Sequence, residues 1–376
     1  MKICHLTSVH SAMDTRILIK ECQSLQKAGH EVVYIVPNAE DSVQFGVQIK
    51  GVSSTASNRL KRMVNTTSLV YEEAIRQDAD VYHFHDSELI PIGLKLKSKG
   101  KKVIYDVHED LPEQILSKQW IPGPLRRSVA IGARSLEKYA SKRFDAVVTA
   151  TPYINERFKT YNDNSLTIHN YPLLQELMNG NVQSEQADSI KDSDKKRVVY
   201  LGGIYLLRGI KEMIQSVERV NDKHNVEFRL GGSFAPASLE NEVKKMSGWK
   251  HVNFLGFLNR QQVKDELSQA NAGLVLLHPE PRFVVSYPIK LFEYMSAGLP
   301  VIASNFPLWE DIVRENECGI CVDPNNIEEI AKAIESILNN PEKAVEMGRN
   351  GRKAVENRYN WEKESERLIE LYERIS

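Results

Sequence analysis

Short, nearly uninterrupted apolar runs alternate with amphipathic stretches along this chain, and that alternation constrains the fold more than any other feature. In the first half the runs lie at residues 2–6, 31–36, 80–85, 102–107 and 146–150. The stretch between the first two carries Ile17, Leu18, Leu25 and Ala28 at helical spacing, with Asp14 or Thr15 as N-cap and Gly29 as stop. Strand–helix–strand alternation demands parallel strands joined by right-handed crossovers. Strands apolar on both faces require helices on both sides of the sheet. From 174 to 196 the pattern dissolves into polar residues, then restarts with runs at 197–201, 227–230, 252–255, 273–277, 301–303 and 319–322. Helices are expected after Arg208, Pro236, Gln261, Lys290 and Ile327. The chain therefore reads as α/β, with parallel-sheet domains at 1–173 and 197–358, a linker at 174–196 and a helical segment at 359–376.

Composition narrows the class without naming a chemistry. Across 376 residues, 41% are hydrophobic and 26% charged, the balance of a globular protein rather than a disordered, collagenous or multi-span membrane chain. No apolar run reaches the ~18 residues that span a bilayer, and residues 1–7 lack the apolar core of a signal peptide. A cytoplasmic protein is expected. The net charge of −1 hides a split, +4 through Pro172 and −5 beyond it, which suggests domains with different partners. Cys318-Gly319-Ile320-Cys321 is formally a CxxC, but zinc would need a second such pair, so a turn entering a strand is the simpler reading. Asp192-Ser193-Asp194 falls in the polar linker rather than at a strand end and reads as a solvated joint.

Ligands of doubly wound sheets bind beyond the carboxyl ends of the strands, so the chemistry is sought in those loops. In the second half, Gly202-Gly203 follows a strand and lets a ligand approach the backbone, while Arg208 sits where the next helix starts. A later loop, Ser286-Tyr287-Pro288-Ile289-Lys290-Leu291-Phe292-Glu293, opens a helix in which Lys290 and Glu293 share a face. An ion pair between them is the simplest account. The functional account has Lys290 and the helix N-terminus holding phosphates while Glu293 accepts hydrogen bonds from the hydroxyls of a ribose.

Residues 202–209 and 290–303 resemble the retaining glycosyltransferases of family 4 (group 1), whose GT-B fold consists of two Rossmann-like domains facing a central cleft. The resemblance runs along the chain through Gly29-His30-Glu31-Val32, Asn253-Phe254-Leu255-Gly256-Phe257 and Cys318-Gly319-Ile320-Cys321-Val322-Asp323-Pro324. Where the family has an Arg beside the first glycine this chain has Gly203, and the family's Lys before the next glycine is Arg208. The first carboxylate of the family's Glu-x7-Glu motif falls on Val285 and the second on Glu293, with Lys290 expected to supply the missing cation. The resemblance implies that Glu293 meets the ribose and that backbone near Leu258 meets the base. It implies a donor site completed by Gly202, Gly203, Ser286, Tyr287, Ile289 and Leu291, with no metal or other cofactor. It also implies a C-terminal helix that crosses back to the first domain.

In the first half His83, His85 and Asp86 follow one strand, and Asp106, His108, Glu109 and Asp110 the next. Read without the family, His83, His85 and His108 could serve a metal-dependent hydrolase, although no third ligand set stands at metal spacing. The family resemblance assigns His108 a place beside the donor sugar and acceptor. The first loop lacks the family's glycines, so His10, Asp14 and Arg16 are expected to project toward the acceptor; helix capping and an Asp14–Arg16 contact are the alternative. Residues 118–143 hold seven basic residues and one acidic, with Trp120, Ile121, Leu125, Val129 and Ile131 interleaved, a pattern that suits an anionic membrane. Stacking aromatics are too few for nucleic acid.

The expected activity is transfer of a sugar from a nucleotide-diphosphate sugar, UDP favoured, to a hydroxyl acceptor with retention. Arg208, Lys290 and His108 are its catalytic residues. A lipid-linked oligosaccharide in capsule, exopolysaccharide or O-antigen assembly is the expected acceptor, met at the inner face of the plasma membrane. The rivals are a sugar-nucleotide epimerase on the same architecture, the metal hydrolase, and a degenerate sugar-nucleotide-binding protein.

Overall fold

Each apolar series forms one sheet in the computed structural model, which describes residues 1–53, 59–117, 121–177 and 195–375. The first sheet is built from β1 (Lys2–Leu6), β2 (Glu31–Pro37), β3 (Ser42–Gln44), β4 (Val47–Val52), β5 (Val81–Phe84), β6 (Lys102–Val107), β7 (Ala146–Thr149) and β8 (Ser165–Thr167). Their order is β3-β4-β2-β1-β5-β6-β7-β8, parallel throughout except for the β3–β4 hairpin. Three of these strands were not expected. β3 is fully exposed and β4 alternates between buried and half-buried, so neither shows a continuous apolar run. β8 spans only three residues, too few for a period to register.

The second sheet contains β9 (Lys196–Leu201), β10 (Val226–Gly231), β11 (Val252–Gly256), β12 (Ala272–Val275), β13 (Val301–Ser304) and β14 (Gly319–Val322). The order is β11-β10-β9-β12-β13-β14, all parallel. Alternate residues of β9 feed opposite faces. Val199 and Leu201 join a core with Leu291, Trp309 and Val355, while Val198 and Tyr200 join one with Ile210, Met213, Val217 and Ile334. Both cores are dry, which is why the strand reads as an unbroken apolar run.

Contacts divide the chain into two units, Met1–Asn170 with Trp361–Ser376, and Tyr171–Asn360. The helix Trp361–Ile375 lies in the first unit, where its Tyr372 hydroxyl stands 2.8 Å from His83 Nδ1 on β5. Residues 178–194 of the expected linker, with Asp192-Ser193-Asp194, lie outside the described residues. Each sheet reverses its winding once. In the first the switch falls between β1 and β5, in the second between β9 and β12. The loops after those four strands are where such sheets bind ligands.

The CxxC is structural. Cys318 is buried and Cys321 half-buried, neither is in a disulfide, and burial pushes both thiols up to about 12. A thiol held that high is inert at neutral pH.

Candidate active site

In the second unit, β9 delivers Gly202 and Gly203, and the turn Leu206–Arg208 brings a cation back over them. Arg208 Nη1 donates to Gly203 O at 3.1 Å, and the Tyr200 hydroxyl donates to the same oxygen at 2.8 Å. Lys290, from the first turn of the helix Ile289–Ser296, lies across Gly202. A Cβ on Gly202 would stand 2.4 Å from Lys290 Cε, and the φ of +135° at that residue also favours glycine. The helix is tied to the strand end by Leu201 N–H, which donates to the Tyr294 hydroxyl at 3.0 Å. Among the described residues no ion pair within 4.0 Å involves Arg208 or Lys290. Burial, then the nearby Arg208 charge, lowers the Lys290 ammonium to about 8, against the opposing pull of Glu293. Two neighbouring cations over half-buried glycine backbone are the chemistry that suits a polyanion.

Glu293 does not pair with Lys290. Its Oε1 accepts from Arg260 Nη1 at 2.8 Å, and Arg260 also binds Glu176. Ser286 is fixed by the Trp309 indole, whose N–H donates to the Ser286 carbonyl at 2.7 Å. Tyr287 and Leu258 are partly buried against the core, and Ile289 is exposed. Leu291 departs from expectation. Its side chain is wholly in the core and its N–H donates to Pro288 O at 3.0 Å, because the apolar face of the helix must cover the sheet. His278, at the switch point after β12, was missed from sequence; its Nε2 stands 3.2 Å from Glu212 Oε2. Arg260 was missed too, because an Arg at a helix start gives no sign of a partner 33 residues away.

In the first unit, the loops after β1, β5 and β6 converge. Asp86 Oδ2 accepts from the Thr7 hydroxyl and the Ser8 N–H, each at 2.7 Å, which pins the first loop. Asp14 caps the helical turn that starts at Thr15, its Oδ1 accepting from Arg16 N and Ile17 N at 2.9 Å. Its other oxygen meets His10 Nδ1 at 3.1 Å. Burial would lower His10, but the Asp14 hydrogen bond and the Asp86 charge outweigh it and hold the imidazole above its ordinary value. His10 borders a groove of about 850 Å³ lined by residues that include Val9, Met13, Asn38 and Glu40, whereas Asp14 does not line it.

Arg16 corrects the acceptor-side expectation. Its side chain is 5% exposed and points inward, where Nε and Nη2 each donate to Asp106 at 3.0 Å. An arginine buried this deeply is retained as half of a bidentate pair. Burial alone would raise Asp106, but the Arg16 guanidinium overrides it and holds the carboxylate well below the usual range. Asp106 Oδ2 also stands 2.9 Å from His108 Nε2 and 3.1 Å from His85 Nδ1. An ionised carboxylate only accepts, so the network assigns the proton of neutral His108 to Nε2 and leaves Nδ1 as its acceptor. His83, His85 and His108 do not form one ligand set. His83 is fully buried and groups with His5, Glu21 and His85, while His108, with 21% of its side chain exposed, groups with His85 and Asp106 and packs near His10.

Comparison with known proteins now bears on these sites. The family described as Glycosyltransferase Family 4 matches residues 15–170, and Glycosyl transferases group 1 matches 181–354. The chain belongs among the family 4-like glycosyltransferases of GT-B fold. A capsular polysaccharide biosynthesis glycosyltransferase of Staphylococcus aureus is 28% identical to it over 181 residues, 48% of this chain and 46% of the relative. The matches span about half the length of the first curated relatives, 45% and 49%. Among solved structures, sucrose-phosphate synthase of Thermosynechococcus elongatus superposes on this chain with a TM-score of 0.76, at 18% identity, covering 100% of this chain and 98% of that one. HepE of Anabaena, in complex with UDP and glucose, gives 0.73 at 14% identity and covers both chains fully.

Proposed function

We propose that the chain transfers a sugar from a UDP-sugar to a hydroxyl acceptor with retention of configuration. The observation that carries this reading is the pair of cations, Arg208 and Lys290, held over Gly202-Gly203. Charge grows on the diphosphate as it leaves, and preorganised cations stabilise it without reorganisation. Glu293, anchored by Arg260, is available to the ribose hydroxyls. Val285 stands where the family has a carboxylate, so a route in which the leaving phosphate helps deprotonate the acceptor fits better than an enzymic nucleophile. UDP is favoured because HepE, a structural neighbour, was solved with UDP and glucose. No metal is required, since the two cations occupy that role.

Calorimetric titration tests this directly. UDP is expected to bind the full chain without added Mg2+ or Mn2+. The Lys290 ammonium, at about 8, is charged below that pH and neutral above it, so UDP affinity falls as pH rises from 7 to 9. The diphosphate is already ionised across that window, so the loss reports the lysine. If no nucleoside diphosphate binds at pH 7, the reading is wrong.

The acceptor is read as a saccharide carried on a lipid. On the helix Gly123–Ser141, Leu125, Val129, Leu136 and Tyr139 recur at helical spacing and are all exposed, 41–55% of each accessible. Arg127, Arg134, Lys138 and Lys142 flank them, also exposed. Lys118 and Trp120 lie outside the described residues. An apolar stripe beside cations suits the surface of an anionic bilayer. No helix among the described residues is long and apolar enough to cross one. The protein is expected to sediment with phosphatidylserine vesicles at low salt and to dissociate at ~0.5 M salt. Val129→Glu with Leu136→Glu should abolish sedimentation; retention by that variant would remove the helix from the acceptor reading.

A further inference from the structure

The first sheet carries a second polar cluster that the proposed transfer does not use. β1 and β5 are adjacent parallel strands with His5 opposite His83, and His85 lies two residues on, so all three imidazoles leave the same face. The turn Thr15–Cys22, wound more widely than an α-helix, lays Glu21 against them. His5, His83 and Glu21 are 0% exposed and His85 is 3% exposed.

The spacing is that of a ligand set. His85 Nε2 stands 2.9 Å from His5 Nδ1, and Glu21 Oε2 lies 4.0 Å from His5 Nδ1, 4.0 Å from His83 Nδ1 and 3.9 Å from His85 Nε2. The carboxylate is too far from each imidazole for a hydrogen bond; its Oε1 lies 3.0 Å from Arg16 Nε as an ion pair, and Oε2 has no hydrogen-bond partner. An ion bonded to nitrogen and oxygen at ~2.0–2.1 Å in tetrahedral geometry holds its ligands about 3.3 Å apart. The four ligand atoms lie within 4.8 Å of one another, and the four pairs above, at 2.9–4.0 Å, bracket that figure.

The surroundings orient two imidazoles correctly. His85 Nδ1 faces Asp106 Oδ2 at 3.1 Å and His5 Nε2 faces the Tyr372 hydroxyl at 3.4 Å. Without an ion His85 Nε2 and His5 Nδ1 share a hydrogen bond at 2.9 Å; with one bound, the outer nitrogens would carry the protons and these two would turn their lone pairs inward, as partners beyond the ligands impose on metal-bound histidines. Tyr372 also stands 2.8 Å from His83 Nδ1, a hydrogen bond this nitrogen would give up to ligate an ion, while His83 Nε2 is buried without a hydrogen-bond partner.

We propose that His5, Glu21, His83 and His85 hold a structural Zn2+ ion within the first unit. Three imidazoles and one carboxylate suit zinc, and four buried protein ligands leave no open position for water, so the ion braces the fold and performs no hydrolysis. It joins two strands to the first helix, which no backbone hydrogen bond does. The proposal is independent of the sugar-transfer reading.

Elemental analysis of the tag-free full chain, desalted after expression in zinc-supplemented medium, tests it. About one zinc per chain is expected, falling below about 0.1 in Glu21→Gln, whose amide keeps the shape of the side chain. Refolding wild type from denaturant with chelator, then with or without Zn2+, should separate two melting temperatures by more than about 5 °C. If wild type holds below about 0.1 zinc and added Zn2+ leaves the melting temperature of the refolded chain unchanged, the four residues form only a hydrogen-bonded network and the proposal fails. Equal zinc in wild type and Glu21→Gln would overturn it as well.

Discussion

Replacing Lys290 with alanine is expected to lower kcat/KM for the sugar donor by about 10²–10³-fold, and Arg208→Ala by a similar factor. Each substitution removes one of the two cations above Gly202-Gly203, and in the proposed reaction these stabilise charge that exists fully only as the diphosphate departs. Loss should therefore appear in kcat as well as in KM, since an interaction strongest in the transition state is missing. The double variant should lose less than the product of the two, because the cations act on one leaving group. Steady-state kinetics with a UDP-sugar decides the matter. Unchanged turnover in both single variants would eliminate the leaving-group role.

Arg16→Ala is expected to destabilise the first unit by about 3–5 kcal/mol, the range for breaking a buried ion pair from one side. Arg16 is 5% exposed, and its guanidinium bonds both oxygens of Asp106 while its Nε lies 3.0 Å from Glu21. Without it the buried Asp106 loses the guanidinium that bonds both of its oxygens, and Glu21 loses the one beside Oε1. Arg16→Lys should recover only part, since an ammonium cannot span both Asp106 oxygens. Urea unfolding of each variant, followed by a signal from the first unit, measures the difference. A loss below about 1 kcal/mol would show that Asp106 is held by other means.

The parallel architecture was legible because its strands are apolar on both faces. Val198 to Leu201 reads as one run since alternate residues enter different cores, and all eleven expected strands appear near their expected positions. The edge strands β3 and β8 and the penultimate β4 were not legible, because strands at the margin of a sheet need not be apolar on both sides. The donor site was legible in part. Gly202, Arg208 and Lys290 sit in loops that the alternation already placed at strand ends, and the structure brings them together. The partner of Glu293 was not legible. Lys290 is three residues away and Arg260 thirty-three, yet Arg260 makes the bond, because the lysine is drawn across Gly202.

The buried histidines show the limit most clearly. His83 and His85 were visible as a pair on one strand face, but His5 stands alone in an apolar run and Glu21 alone in an amphipathic helix. Only the pairing of β1 with β5 and the seating of the first helix bring these four together. Asp14 was expected as a cap, but nothing in Asp14-Thr15-Arg16 states that the arginine turns in to Asp106, 90 residues later. Sequence periodicity determined the two α/β units and the loops in which chemistry could sit, since periodicity records which residues avoid water. Tertiary structure alone decided which charges meet. Electrostatic partnership depends on distances of a few ångströms between residues far apart in the chain, and local sequence does not encode those distances.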